Sequence, residues 1–168
     1  MTQTKQLVGL NSFLYPKFVL SDYHENKVHT SIGSYGEQYI YNALTQDGYF
    51  CQKTALERRS GDLRVLDTRT GEWLQIEVKT AFCDYNGQYG FCLRKTNHTS
   101  ITYSDFVILL LIDKHLTHYK YIIPCGLLQT QFLRITTHPI RYAGKYSPFL
   151  VRQNINFDDT REVAELWS

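Results

Sequence analysis

Two carboxylates and a lysine carry the strongest chemical signal in this 168-residue chain. Asp62 follows Gly61, and Glu77-Val78-Lys79 lies beyond the turn-forming run Thr68-Arg69-Thr70-Gly71. Leu63 and Val65 alternate with Asp62, Arg64 and Leu66, and Trp73 to Lys79 alternates again. That is the period of half-buried strands, so the two runs read as the arms of a β-hairpin. Leu74, Ile76 and Val78 then point to one face, and Gln75, Glu77 and Lys79 to the other. A hairpin symmetric about Arg69-Thr70 sets Asp62 directly opposite Glu77. Facing residues have Cβ atoms roughly 4.5–5.5 Å apart, where like charges repel. A cation between the two carboxylates removes that cost, and hard oxygen ligands suit Mg²⁺. Lys79, two residues along on the Glu77 face, would sit beside it.

Other elements must hold this hairpin in place. Residues 34–47 read as a helix, with Gly36, Ile40, Ala43, Leu44 and Asp47 at one-face spacing and Gly48 as its stop. Strand-like pieces follow at 49–54, 62–67, 73–82, 91–95, 105–112 and 119–123. The threonine-rich stretch 97–104 is ambiguous. Residues 1–30 have no clear period and Pro16 breaks any helix there, so they read as an arm packing on a partner or on the core. A short C-terminal helix starts at Asp158-Asp159-Thr160, with Val163, Leu166 and Trp167 as its apolar side. There is no internal repeat or low-complexity segment.

Together these motifs resemble the PD-(D/E)XK nuclease superfamily, which holds restriction enzymes, Holliday-junction resolvases and some homing endonucleases. Gly61-Asp62 and Glu77-Val78-Lys79 are similar to its signature. Gly33-Ser34-Tyr35-Gly36-Glu37-Gln38, with Ala43-Leu44-Thr45-Gln46-Asp47-Gly48-Tyr49, resembles its first core helix and glycine turn. Tyr103-Ser104-Asp105-Phe106 and Tyr119-Lys120-Tyr121-Ile122-Ile123-Pro124 resemble the pattern of intron-associated members. The match spans residues 31–125 and departs from the pattern in Gly61, where proline is common. That departure reads as a loss of turn rigidity rather than of chemistry.

The resemblance implies a restriction-endonuclease-like α/β fold, a mixed sheet flanked by helices, and hydrolysis of DNA phosphodiester bonds. Such hydrolysis needs a cation to polarise a phosphate oxygen and to lower the pKa of an attacking water. Asp62 and Glu77 would hold Mg²⁺, with Mn²⁺ as a substitute. The Val78 carbonyl is a further ligand that the resemblance implies, as are 5′-phosphate and 3′-hydroxyl products. Lys79 would orient the water and balance charge in the transition state. The bland alternative is a surface hairpin bearing unrelated acids and an exposed ion pair, which is worth little. Glu37 carries two readings. It edges the buried stripe of its helix, and the resemblance turns it toward the metal; Ser34-Tyr35-Gly36-Glu37 is also a capping box.

Composition narrows the field. With 43% apolar residues the chain can bury a core, and one domain over 1–168 is the natural count: arm 1–30, nuclease core 31–125, basic segment and short helix 126–168. The polar N-terminus and the shortness of the longest apolar run, Phe106 to Ile112, argue against export and a membrane span, so a cytoplasmic location is expected. Cys51, Cys83, Cys92 and Cys125 show no zinc spacing and read as reduced thiols. His115 and His118 have H-x-x-H spacing but lie in a turn without a carboxylate or cysteine partner. No P-loop, G-x-S-x-G or dinucleotide fingerprint is present.

The net charge of +2 is uninformative, but its distribution is not. Between Tyr85 and Phe157 the acids are Asp105 and Asp113 alone, against Arg94, Lys95, Lys114, Lys120, Arg134, Arg141, Lys145 and Arg152. Such segregation suits a polyanion-binding surface, DNA in this reading. Lys53, Arg58, Arg59, Arg94 and Lys95 flank the site in sequence and are candidate phosphate contacts. Gln75, on the face of Glu77 and Lys79, is a candidate for the scissile region.

The expectation is a metal-dependent endodeoxyribonuclease, site-specific in the homing or restriction manner. A Holliday-junction resolvase and a catalytically silent DNA-binding module of the same fold are the alternatives. An α/β interaction protein is a third, in which the motif is chance. Cutting both strands symmetrically favours a homo-oligomer, a dimer or tetramer.

Overall fold

The structure, a computed structural model, describes residues 25–54, 61–84, 87–93, 104–128, 132–136 and 145–167. Its first element is helix α1, Glu25–Gln46. It begins well before residue 34, because residues 25–33 carry too few apolar side chains to show a stripe. At its other end the chain leaves as expected: Gly48 has φ +90°, and the Tyr49 N–H donates to the Leu44 carbonyl at 2.9 Å.

Strands β1 (Cys51–Lys53), β2 (Leu63–Leu66) and β3 (Trp73–Phe82) follow, then β4 (Gln88–Cys92), β5 (Phe106–Ile112) and β6 (His118–Pro124). Strand β7 (Phe132–Thr136) and helix α2 (Phe157–Glu165) complete the order. Five strands form one mixed sheet in the order β1-β2-β3-β5-β6, in which β3 and β5 run parallel and the other neighbours antiparallel. Strands β4 and β7 form a separate antiparallel ribbon. Strand β5 is buried along its whole length, as expected of a central strand covered on both faces.

Each face of the sheet has its own core. Ile40 and Leu44 of α1 pack on Leu63, Val65, Leu74, Ile76, Val78, Ile108 and Leu110. On the reverse face, Tyr89, Phe91, Leu133 and Ile135 of the ribbon pack on Ala81, Val107, Leu109 and Leu111. Gly36 is what lets α1 approach so closely, since a Cβ there would lie 1.6 Å from Thr80 Oγ1.

Two further elements differ from the sequence expectation. Strand β4 begins earlier than residue 91, and β7 lies in the segment read only for its charge. Both are short strands whose signal rests on two or three alternating side chains. In α2, Asn156 is the N-cap, accepting from the N–H groups of Asp158 and Asp159. Val163 and Trp167 pack inward, but Leu166 is 89% exposed, contrary to its expected place on the apolar side. No described helix is long and apolar enough to cross a membrane. The arm expected over residues 1–30 lies outside the described residues up to 24, and 25–30 belong to α1.

Candidate active site

Strand β3 outruns its neighbour. Its pairing with β2 ends at Leu63–Ile76, whereas its pairing with β5 continues from Ile76–Phe106 to Phe82–Ile112. Among the described residues, β3 from Glu77 onward therefore has β5 on one side and no paired strand on the other, which leaves a notch. The hairpin register is the expected one, with Leu63 facing Ile76 and Leu66 facing Trp73. One residue further the ladder slips. The Asp62 N–H donates to the Ile76 carbonyl at 2.8 Å, one residue off the register of the Leu63–Ile76 pair.

Gly61 permits the slip. It has φ +67°, and a Cβ there would come within 2.8 Å of the Ile76 carbonyl oxygen. Proline, held near φ −65°, has no access to this conformation. Glycine at this position is thus a backbone requirement of this chain. Thr54 ties the turn down by donating to the Gly61 carbonyl at 2.5 Å.

The slip carries the Asp62 carboxylate into the notch, where Oδ2 accepts from the Val78 N–H at 2.7 Å. In a strand the N–H and C=O of one residue lie on the same edge, so the Val78 carbonyl also faces the open side. Glu77 is 3% exposed, and its Oε1 pairs with Lys79 Nζ at 2.7 Å.

The electrostatics follow from this crowding. Burial and the Glu77 charge push Asp62 up to about 6, against the opposing pull of the Val78 N–H and Lys79. Burial opposes the Lys79 charge, but Glu77 and Asp62 outweigh it and hold the ammonium above its usual value. Glu37 is raised by burial and by Glu77, while Lys53 and Lys79 pull it down. Glu37, Asp62, Glu77 and Lys79 thus feel one another's charge, and all four were read from the sequence as site residues.

Glu37 does not serve a capping box. Ser34 lies inside α1, far from its first turn, so the capping reading falls. Among the described residues, no three Asp, Glu, His or Cys side chains are grouped so as to hold a metal. Of the candidate ligands, Asp62 and Glu77 feel each other's charge, Asp62 is bound by the Val78 N–H, and Glu37 is a further charge beside them. Cys125 is no alternative nucleophile, because burial and the acids Glu77 and Asp105 push its thiol up to about 12.

Of the other candidate residues, Gln75 lies on β3 one two-residue step from Glu77 and opposite Arg64. Lys53 is turned toward α1 instead, donating to Gln38 Oε1 at 2.6 Å with its ammonium 5.7 Å from the Tyr41 ring centre. Arg58, Arg59, Arg94 and Lys95 lie outside the described residues. His118 is a packing residue: its Nε2 lies 2.9 Å from the Tyr35 hydroxyl and its ring stacks on Tyr39 at 4.5 Å. Arg64, absent from the residues expected at the site, faces Gln75, as hairpin symmetry about Arg69-Thr70 requires.

No protein-family model matches the chain, and no curated protein matches it in sequence. Among solved structures, that of a bacterial homing endonuclease, I-Ssp6803I, matches with a TM-score of 0.57 at 18% identity. The match covers 86% of this chain and 99% of that one. At this identity the likeness is one of fold, an α/β architecture built on a mixed sheet.

Proposed function

We propose that the chain is a metal-dependent, site-specific DNA endonuclease with a PD-(D/E)XK active site formed by Asp62, Glu77, Val78 and Lys79, with Glu37 beside them. The observation that carries this reading is the notch itself. A slipped ladder aims Asp62 at the open edge of β3, beside a buried Glu77 paired with Lys79. A structural ion pair has no need of the second carboxylate, and the folded chain keeps it at an electrostatic cost. The fold neighbour is named a homing endonuclease, which supports a site-specific cutter over a junction resolvase.

The donor set fits a small hard dication, Mg²⁺ or Mn²⁺: two carboxylates and one carbonyl, with water completing the shell. Bound there, the ion would polarise a phosphate oxygen and lower the pKa of an attacking water. Lys79 has three donors, of which Glu77 takes one, so it can orient that water and meet charge growing on the phosphate. Attack forms one P–O bond and breaks the bond to the 3′ oxygen, leaving a 5′-phosphate and a 3′-hydroxyl. Glu37, partly buried beside the site, would help orient the water or the ion. A duplex has two strands to cut, so two copies of the chain would act together.

The test uses supercoiled plasmid, a genomic DNA pool and a four-way junction, each with Mg²⁺, Mn²⁺ or EDTA, and with Lys79→Ala and Asp62→Ala alongside. Metal-dependent cutting at discrete sites, lost in both variants, is the expected result. Preference for the junction would make the chain a resolvase. DNA binding with no cutting of any substrate would favour the silent module.

A further inference from the structure

The sheet face that carries Glu77 and Lys79 continues away from the notch onto residues that hydrolysis does not use. Pairing of β1 with β2 sets Gln52 beside Arg64, and pairing of β2 with β3 sets Arg64 beside Gln75. Paired residues share a face, and Gln75 shares it with Glu77 and Lys79 through the two-residue period. The opposite face of the same strands is the buried core of Leu63, Val65, Leu74 and Ile76. The Gln–Arg–Gln front is half-buried and lies outside that apolar core.

Arg64 is held in one orientation. Its Nη2 donates to Gln52 Oε1 at 2.8 Å, and its guanidinium lies 4.9 Å from the centre of the Trp73 ring. Trp73 in turn packs on Phe50 at 5.7 Å, and Phe50 is 57% exposed. Gln75 Oε1, shielded from solvent, has no hydrogen-bond partner among the described residues. The row therefore combines a fixed cationic fork, a half-buried glutamine amide and an exposed aromatic edge beside half-buried Asp62 and buried Glu77.

We propose that the Gln52–Arg64–Gln75 row is the surface that reads duplex DNA next to the scissile bond, with Arg64 as its principal specificity residue. The proposal rests on the nuclease reading above. A guanidinium fork matches the O6 and N7 acceptors of guanine, and a glutamine amide matches N6 and N7 of adenine. Two residues along a strand span about 6.8 Å. A duplex rises about 3.4 Å per base pair, which puts the contact roughly two base pairs from the cut. The Trp73–Phe50 edge bounds the row on the side away from the carboxylates.

The test selects preferred targets from randomised duplexes bound to the full chain, with Ca²⁺ in place of Mg²⁺ to prevent cutting. Wild type, Arg64→Ala, Arg64→Lys and Arg69→Ala are compared, the last removing an exposed charge at the far hairpin turn. Thermal unfolding checks that each variant is folded. Arg64→Ala is expected to bind the wild-type target about tenfold or more weakly and to lose base preference at one or two adjacent positions. Arg64→Lys keeps the charge and should lose the same preference. Arg69→Ala should keep it. Unchanged base preference in both Arg64 variants would overturn the proposal and leave the nuclease reading standing. So would a change of oligomeric state in Arg64→Ala without a change in DNA binding, which would make the row a contact between copies. A wild type that binds no duplex at any salt concentration would overturn both readings.

Discussion

Burial and the Glu77 charge push Asp62 up to about 6, so between about pH 4 and 6 the folded chain holds a proton that the unfolded chain has released. A folded state that binds more protons loses stability as pH rises, and above pH 6 the full cost is present. Asp62→Asn removes the charge but keeps an oxygen to accept from the Val78 N–H. In metal-free protein at pH 7, Asp62→Asn should be more stable than wild type by up to about 3 kcal/mol, with the gap closing near pH 4. Urea unfolding across that range measures it; a variant less stable than wild type at pH 7 would sink the account. The same substitution should abolish cleavage. Mg²⁺ should raise the wild-type melting temperature and leave that of Asp62→Asn unmoved, since an ion that binds only the folded state stabilises it by mass action.

At the level of elements, two glycines decide where these side chains go. Gly36 lets α1 lie against β3, which carries neighbouring Glu37 toward the notch. Gly36→Ala should cost about 1–3 kcal/mol by overpacking against Thr80. Thr80→Ala, added to it, should recover much of that, a coupling that a double-mutant cycle by chemical denaturation reads directly. Gly61→Pro should destabilise by about 3 kcal/mol or more, because it combines a forbidden φ with a collision at the Ile76 carbonyl. A motif-based expectation gives the opposite sign. The elements that position the candidate site were legible in the sequence where patterns were long. The strand expected over Trp73–Phe82 matches β3 from end to end, and turn symmetry at Arg69-Thr70 set the register from Leu63 to Trp73 correctly. The slip at Asp62 was not legible, since nothing in the residue types around Gly61 announces a left-handed backbone there. Nor was the start of α1, whose early turns have too few apolar residues to show the helical period. That shortfall made Ser34 look like a cap and left Glu37 with two readings.

Across the whole molecule, the C-terminal segment ties together elements far apart in sequence. The Ile155 N–H donates to Asp47 at the end of α1, at 2.7 Å. Arg161 of α2 donates to Asp67 Oδ2 and to Asp158 Oδ1, each at 2.9 Å, and lies over the Phe106 ring at 5.8 Å. One guanidinium thus joins α2 to the hairpin turn and to the first residue of the central strand β5. Sequence periodicity offered no hint of this, because an ion pair between distant segments leaves no local pattern. Burial alone would push Asp67 up, but the Arg161 hydrogen bond, the Arg69 N–H and the Arg161 charge together hold it below the usual carboxylate range. A carboxyl depressed in the folded state contributes stability above its unfolded pKa and loses it as pH falls through the folded one. Arg161 is partly exposed, so solvent screens the pair, and Arg161→Ala should cost about 1–2 kcal/mol at pH 7. Below about pH 4 the gap should narrow as Asp67 takes up its proton in the wild type. Arg69→Ala, whose pairing with Asp158 is solvent-exposed, should cost less than about 0.5 kcal/mol. Urea unfolding of the three proteins at pH 7 and near pH 3.5 tests this. Equal losses for the two arginine variants at neutral pH would mean that the tie between α2 and the hairpin rests on Phe157 and its apolar neighbours rather than on Arg161.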